Sequence, residues 1–301
     1  HVNYCEIMKR SCEEDAMGIK LIALDMDGTT LNSDVKLAAE TRQAIEKAMD
    51  CGVYVVPCTG RVFSQIPREI MSIDGLNYAI TANGARVLDL SDYNRVIYEN
   101  VFEPQTMDQL LAVIDRDDIM VEAYLKGKSY IEKRVLDNLG DFGVPEAYFN
   151  FFKDSVYNDS GIPVASHEEM IDHLRTGGIE KLNIFMPTAE IRTALISEIK
   201  ASCPVKVTSS MPSNIELNAA TANKGDGLFH LCEELGLDRK QVMAMGDSNN
   251  DLDMLNFAGF AVAMGNAEER VKQISDFVTT TNDDLGVVKA LKQFVLDEQV
   301  S

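Results

Sequence analysis

The chain has 301 residues, 46% of them hydrophobic, and a formal net charge of −20 at pH 7. This length supports one large or two modest domains, and the acidic balance argues against nucleic-acid phosphate or an anionic membrane as main partner, since either requires a basic face. No apolar run approaches the roughly 18 residues of a membrane span and the amino terminus lacks the apolar block of a signal peptide, so a cytoplasmic protein is expected.

Residues 1–16 read as an amino-terminal extension, because the first strand begins just after Met17. In "LIALDMDGTTLN" (21–32), Leu21, Ile22, Ala23 and Leu24 form a buried strand that ends in Asp25 and Asp27, and Gly28 marks the turn. Two carboxylates about 4 Å apart repel by roughly 4 kcal/mol at an effective dielectric near 20, which calls for a compensating cation. "SDVKLAAETRQAIEKAMDCG" follows as an amphipathic helix with Ser33 or Asp34 as cap and Gly52 as stop. "VYVVPCTGR" is a second buried strand. "VFSQIPREIMSI" and "NYAITANGA" repeat helix and strand.

Near Arg86 the pattern changes. "RVLDL", "RVIYENV", "MVEAYLKGKSYIEK", "KLNIFM" and "VKVTSS" have strand character, with helical stretches between them, which predicts an α+β insertion over 85–213. From Lys224 the alternation of helix and strand resumes to the carboxyl end. The predicted fold is therefore α/β: a doubly wound parallel-sheet core (17–84 and 214–301) interrupted by an inserted α+β cap.

Cysteine and histidine add little. The six cysteines form no C-x-x-C pair, which argues for reduced thiols over zinc or structural disulfides. His167 and His173 are six apart and suit no zinc motif. The polar motifs instead fall where ligands bind in open α/β sheets, outside the carboxyl ends of the strands. These are Asp25 and Asp27, "TGR" (Thr59, Gly60, Arg61), "TANGA" with Asn83, and "GDSNND" (246–251), with Lys224 of "NKG" at a loop-to-helix junction. Asp25, Asp27 and Asp247 are hard oxygen donors that suit magnesium shared with a phosphate group. Lys224 supplies positive charge, and the Thr59 hydroxyl and turn amides supply neutral donors. One aspartate can attack phosphorus while the other moves the proton.

"DMDGTT", "TGR", "NKG" and "GDSNND", in this order, resemble the four motifs of the haloacid dehalogenase (HAD) superfamily of phosphatases. The insertion resembles the C2B cap of the Cof subfamily, and "VAMGNA" and "TNDDLGV" near the carboxyl end are similar to that subfamily too. The resemblance implies that Asp25 is the nucleophile that becomes an aspartyl phosphate, and that Asp27 is the general acid and base and gives its backbone carbonyl to Mg2+. Asp247 would be the third metal ligand, with Ser248 close by. Thr59, Gly60, Lys224, Asn250 and the backbone of Met26 would hold the phosphate, and Asp251 would orient Lys224 or a metal-bound water.

Arg61 could touch substrate phosphate or pair with an acidic neighbour, and Asn83 could contact substrate or cap a hinge. Asp253 is expected to face water, and Tyr148, Phe149, Phe151 and Phe152 to form cap core. The expected activity is a Mg2+-dependent phosphatase of a small phosphorylated metabolite. A phosphomutase would use the same nucleophile but release no free phosphate. A receiver-type signalling module would carry its acceptor aspartate on a later strand than its acid pair. The sequence carries no signal for the substrate's identity or the oligomeric state.

Overall fold

A computed structural model of the chain describes residues 18–92, 94–154, 162–164, 166–209 and 211–296. The expected extension at 1–16 lies outside them. The chain forms two compact units. The first takes the chain up to Gly60, Pro67–Tyr98, and the chain from Asn223 onward; the second takes Arg61–Ile66 and Glu99–Ala222.

The first unit is built on a parallel sheet ordered β14-β13-β12-β1-β2, with β1 at Leu21–Leu24, β2 at Tyr54–Pro57, β12 at Val242–Gly246, β13 at Phe260–Ala263 and β14 at Phe277–Val278. Every residue of β1 and β12 is buried, as befits central parallel strands covered on both faces. A parallel bridge between Cys58 and Ile80 carries the sheet toward β3 (Tyr78–Thr81). There it meets β4 (Arg86–Asp89), which runs antiparallel to β3, and β5 (Arg95–Glu99) completes the order β3-β4-β5. The sequence reading began the insertion at 85, whereas the compact division falls at Tyr98, which leaves β4 and most of β5 with the first unit. At the other side the expected boundary of 213 becomes 222.

The second unit holds a sheet ordered β10-β11-β9-β6-β7-β8: β6 at Met120–Leu125, β7 at Lys128–Glu132, β8 at Ile162–Val164, β9 at Ile179–Phe185, β10 at Val205–Thr208 and β11 at Asn214–Ala219. The sequence reading missed β11, although "NIELNA" alternates strictly. Ile215 and Leu217 enter the apolar core with Val121, Ala123, Leu182 and Ile184, while Asn214, Glu216 and Asn218 point to the other face. That other face is buried and polar: Glu122 accepts from Gln65 at 2.7 Å, Ser129 at 2.6 Å and Asn183 at 3.0 Å, and Lys181 pairs with Glu216 at 2.9 Å.

Two local expectations change. The first helix starts at Ala39, with Ala38 as N-cap and no side-chain cap bond, and Ser33 is bonded to Asp283. "VFSQIPREIMSI" is no continuous helix: Ile66, ahead of Pro67, is extended, as the pyrrolidine ring requires, leaving only short turns at Phe63–Gln65 and Arg68–Met71. Cys58, Cys203 and Cys232 are buried free thiols. Cys51 is disulfide-bonded, against the expectation of reduced thiols. Among the described residues no helix is long and apolar enough to cross a membrane.

Candidate active site

Parallel pairing of β1 with β2 and β12 brings three strand ends to one edge. The Asp25 amide donates to the Met245 carbonyl at 3.0 Å, and the Cys58 amide to the Leu24 carbonyl at 2.7 Å. The chain then turns tightly: the Leu31 amide reaches back to the Met26 carbonyl at 2.9 Å, and the Thr30 hydroxyl to the Asp25 carbonyl at 2.6 Å. Gly28 makes this possible. Its φ is +82°, and a Cβ there would lie 2.6 Å from Asp247 Oδ2, so only glycine admits Asp247 so close to the first turn. The Thr29 hydroxyl donates to Asp247 Oδ1 at 2.9 Å.

Lys224 opens the helix Lys224–Leu235 behind the N-cap Asn223, whose side chain accepts from the Asp226 amide. Although it follows a loop, Lys224 is completely buried. Its Nζ stands 2.5 Å from Asp25 Oδ1 and 2.6 Å from Asp251 Oδ1. An ammonium has three donors, so one remains beyond these two bonds. Asp251 Oδ2 accepts from the amides of Asp247 and Ser248 at 2.9 and 3.0 Å, so Asp251 spends both oxygens on scaffolding.

One oxygen each from Asp25, Asp247 and Asp251 lie within 4.8 Å of one another. Three carboxylates against one ammonium leave an excess of two negative charges when all are ionised. The surroundings register that excess. Burial, then the Asp251 charge, raises the Asp25 carboxyl well above its usual range, with Lys224 opposing. The same two causes push Asp247 up to about 6. Burial disfavours the charged Lys224, but Asp25 and Asp251 outweigh it and hold its pKa above the ordinary value. A hard divalent cation fits this donor set by charge and by ligand type. With Asp251 engaged elsewhere, the carboxylates open to it are those of Asp25 and Asp247.

The remaining predicted residues distribute as follows. Thr59 is buried, its amide bonded to Ile80 and its carbonyl to the Asn83 amide at 3.0 Å, and Gly60 follows it at the limit of the first unit. Ser248 donates to Asn250 Oδ1 at 2.6 Å, and Asn250 Nδ2 to Asn83 Oδ1 at 3.2 Å, which joins three of the motifs into one chain of contacts. Met26 is buried, while Asp27 is exposed and its backbone bridges Leu31. Arg61 belongs to the second unit, where its guanidinium donates to the Gln65 carbonyl at 3.1 Å. Asp253 is half-buried rather than turned fully to water.

Of the aromatic cluster, Phe152 lies in the second unit's core against Phe185 with Phe149 beside it. Tyr148 is exposed, and the Phe151 side chain is outside the described set. The sequence reading gave no task to Thr29 or Thr30, although "DGTT" placed both beside the aspartates, nor to Asn266 and Asn282 of "VAMGNA" and "TNDDLGV".

Known proteins resemble this chain over most of its length. The family described as haloacid dehalogenase-like hydrolase matches residues 22–291. The 5-amino-6-(5-phospho-D-ribitylamino)uracil phosphatase YcsE of Bacillus subtilis is 32% identical over 286 residues, covering 95% of this chain and all of that protein. A haloacid dehalogenase-like hydrolase from Bacteroides thetaiotaomicron superposes with a TM-score of 0.76 at 26% identity, covering 91% of this chain and 99% of that one. A HAD subclass IIB sugar phosphatase, at 23% identity and a TM-score of 0.75 over 92% of this chain and 99% of its own, shares the fold.

Proposed function

Because this chain belongs to the haloacid dehalogenase-like hydrolases and is, with its Cof-type relatives, a phosphoric monoester hydrolase, we propose that it is a magnesium-dependent phosphatase of a small phosphorylated metabolite, working through an aspartyl phosphate. The observation that carries this reading is the buried Lys224 held between Asp25 and Asp251, with Asp247 alongside, at the carboxyl edge of the sheet. A sugar phosphate or comparable small ester is the substrate class, as the names of two similar proteins suggest.

Asp25 attacks phosphorus; the bond to the leaving oxygen breaks, and Asp27 delivers a proton to that oxygen. Water then attacks the aspartyl phosphate, Asp27 takes its proton, and the bond from phosphorus to Asp25 breaks to return the carboxylate. Lys224 favours the ionised nucleophile and turns its third N–H toward a phosphoryl oxygen. Thr59, Gly60, Asn250 and the Met26 backbone hold the other oxygens, with Asn83 fixing Asn250. Asp25, Asp247 and the Asp27 carbonyl would hold Mg2+, Ser248 beside them, and the ion would offset the charge that builds on the phosphoryl group. The second unit selects the leaving group.

The roles of the two aspartates separate experimentally. An aryl phosphate leaves as a weakly basic anion, so the first step needs little acid, whereas the second needs Asp27 as base. In rapid quench with an aryl phosphate and Mg2+, Asp27→Asn should accumulate a phosphoryl adduct on the peptide carrying Asp25, read by mass spectrometry, and Asp25→Asn should form none. An adduct on Asp25→Asn, or on a peptide lacking residue 25, overturns the assignment.

A further inference from the structure

The motifs "VAMGNA" and "TNDDLGV" have no part in the chemistry above, yet their side chains close on the turn that follows Asp27. Asn266 Nδ2 donates to the Gly28 carbonyl at 2.8 Å, and its Oδ1 accepts from the Asn282 amide at 3.0 Å. Asn282 Nδ2 in turn donates to the Leu31 carbonyl at 2.9 Å. Asp283 takes the Ser33 amide and hydroxyl at 2.8 and 2.6 Å. The two motifs stand on a firm base: they follow β13 and β14, which pair at Ala263 and Val278, and the Gly265 amide bonds the Thr280 carbonyl at 2.9 Å.

One hydrogen bond to a loop carbonyl is ordinary stitching. This arrangement differs in two respects. The Asn266 side chain is tied to the Asn282 backbone amide, and the two side chains grip the carbonyls of Gly28 and Leu31. Gly28 is Asp27's chain neighbour, and Leu31 is the residue Asp27 bridges. The gripped turn also carries Thr29, whose hydroxyl holds Asp247.

We propose that Asn266 and Asn282 are positioning residues for phosphoryl transfer: they clamp the turn from Gly28 to Leu31, and so hold the Asp27 carboxylate where it exchanges its proton. The inference rests on Asp27 being the acid and base. Misplacing a reacting group by about 1 Å can cost on the order of a hundredfold in rate, so a carboxylate at the start of a loosened turn should be sensitive to the loss of either amide.

The test uses the full chain with Mg2+ and an aryl phosphate. Asn266→Ala and Asn282→Ala should each lower kcat about tenfold or more, with KM within about twofold. Added to Asp27→Asn, neither should lower the residual rate further. Amide hydrogen exchange should quicken at Leu31 and Ser33 in both single variants, a readout that needs neither metal nor turnover. Should an alanine variant not fold, the isosteric Asn266→Asp, which loses the donor to Gly28, supports the same comparison. A loss in the Asp27→Asn background equal to that in the parent overturns the positioning role alone. Unchanged kcat in variants whose exchange shows a loosened turn does the same. Undiminished turnover in Asp27→Asn by itself overturns the acid and base reading, and this inference with it.

Discussion

At the scale of single residues, Lys224 shows how position in the sequence and position in the fold diverge. A lysine at a loop-to-helix junction invites the expectation that its removal spares the fold. Lys224 is instead fully buried between two carboxylates. Lys224→Ala should therefore lose turnover by about a hundredfold or more, as the loss of a charged transition-state contact does. It should also lose stability on the order of 3–5 kcal/mol at neutral pH, since two buried carboxylates are left without their cation. Denaturant unfolding beside kinetics checks both, and an unchanged unfolding midpoint would mean that the pair does not hold the site together.

Asp247 yields a pH prediction. Its pKa is 3.8 in the unfolded reference and about 6 in the fold, so the folded state binds the proton more tightly. Its contribution is stabilising at low pH and is lost as pH rises from about 4 through 6. In chelator the melting temperature should fall over that window. Added Mg2+ should raise it more at pH 7 than at pH 5, where protons compete for the same carboxyl. An equal shift at the two pH values would remove Asp247 from the metal's ligands.

At the scale of elements, the junction after β3 packs backbone against backbone. Ala82, Asn83 and Gly84 all have positive φ, and a Cβ on Gly84 would lie 2.0 Å from the Asn223 carbonyl oxygen, the residue that caps the Lys224 helix. No side-chain rotation relieves a clash with backbone. Gly84→Ala should cost at least about 2 kcal/mol of stability and should lower turnover as well, because the N-cap that places Lys224 must shift. Thermal unfolding and steady-state rates check this; a variant as stable as the parent would show that the β3 and Lys224 elements tolerate separation.

At the scale of the whole molecule, the division into two units changes how the insertion should be tested. Cutting near 86 and 212 would remove β4 from its own sheet, whereas Glu99–Ala222 is the continuous stretch that belongs to the second unit. Replacing Glu99–Ala222 by a flexible linker should keep hydrolysis of an aryl phosphate, since Asp25, Asp27, Asp247 and Lys224 lie outside it, and should flatten the ranking among metabolite esters. A screen of sugar phosphates and nucleotides before and after excision reads the outcome; the same ranking in a folded product would exclude the second unit as the selective element.

The sequence by itself determined the strand ends that carry Asp25, Thr59 and Asp247, because a short apolar run that meets a polar turn specifies where a buried strand stops. It also determined their order along the chain, and hence the doubly wound core. What tertiary structure decided are the pairings across long separations. Lys224 meets Asp25 over 199 residues, Thr29 meets Asp247 over 218, and Asn266 meets Gly28 over 238. Which unit claims β4 or β11 belongs to the same class. These outcomes depend on which strands become neighbours and in what register, and no local pattern of hydrophobicity or turn chemistry encodes that choice.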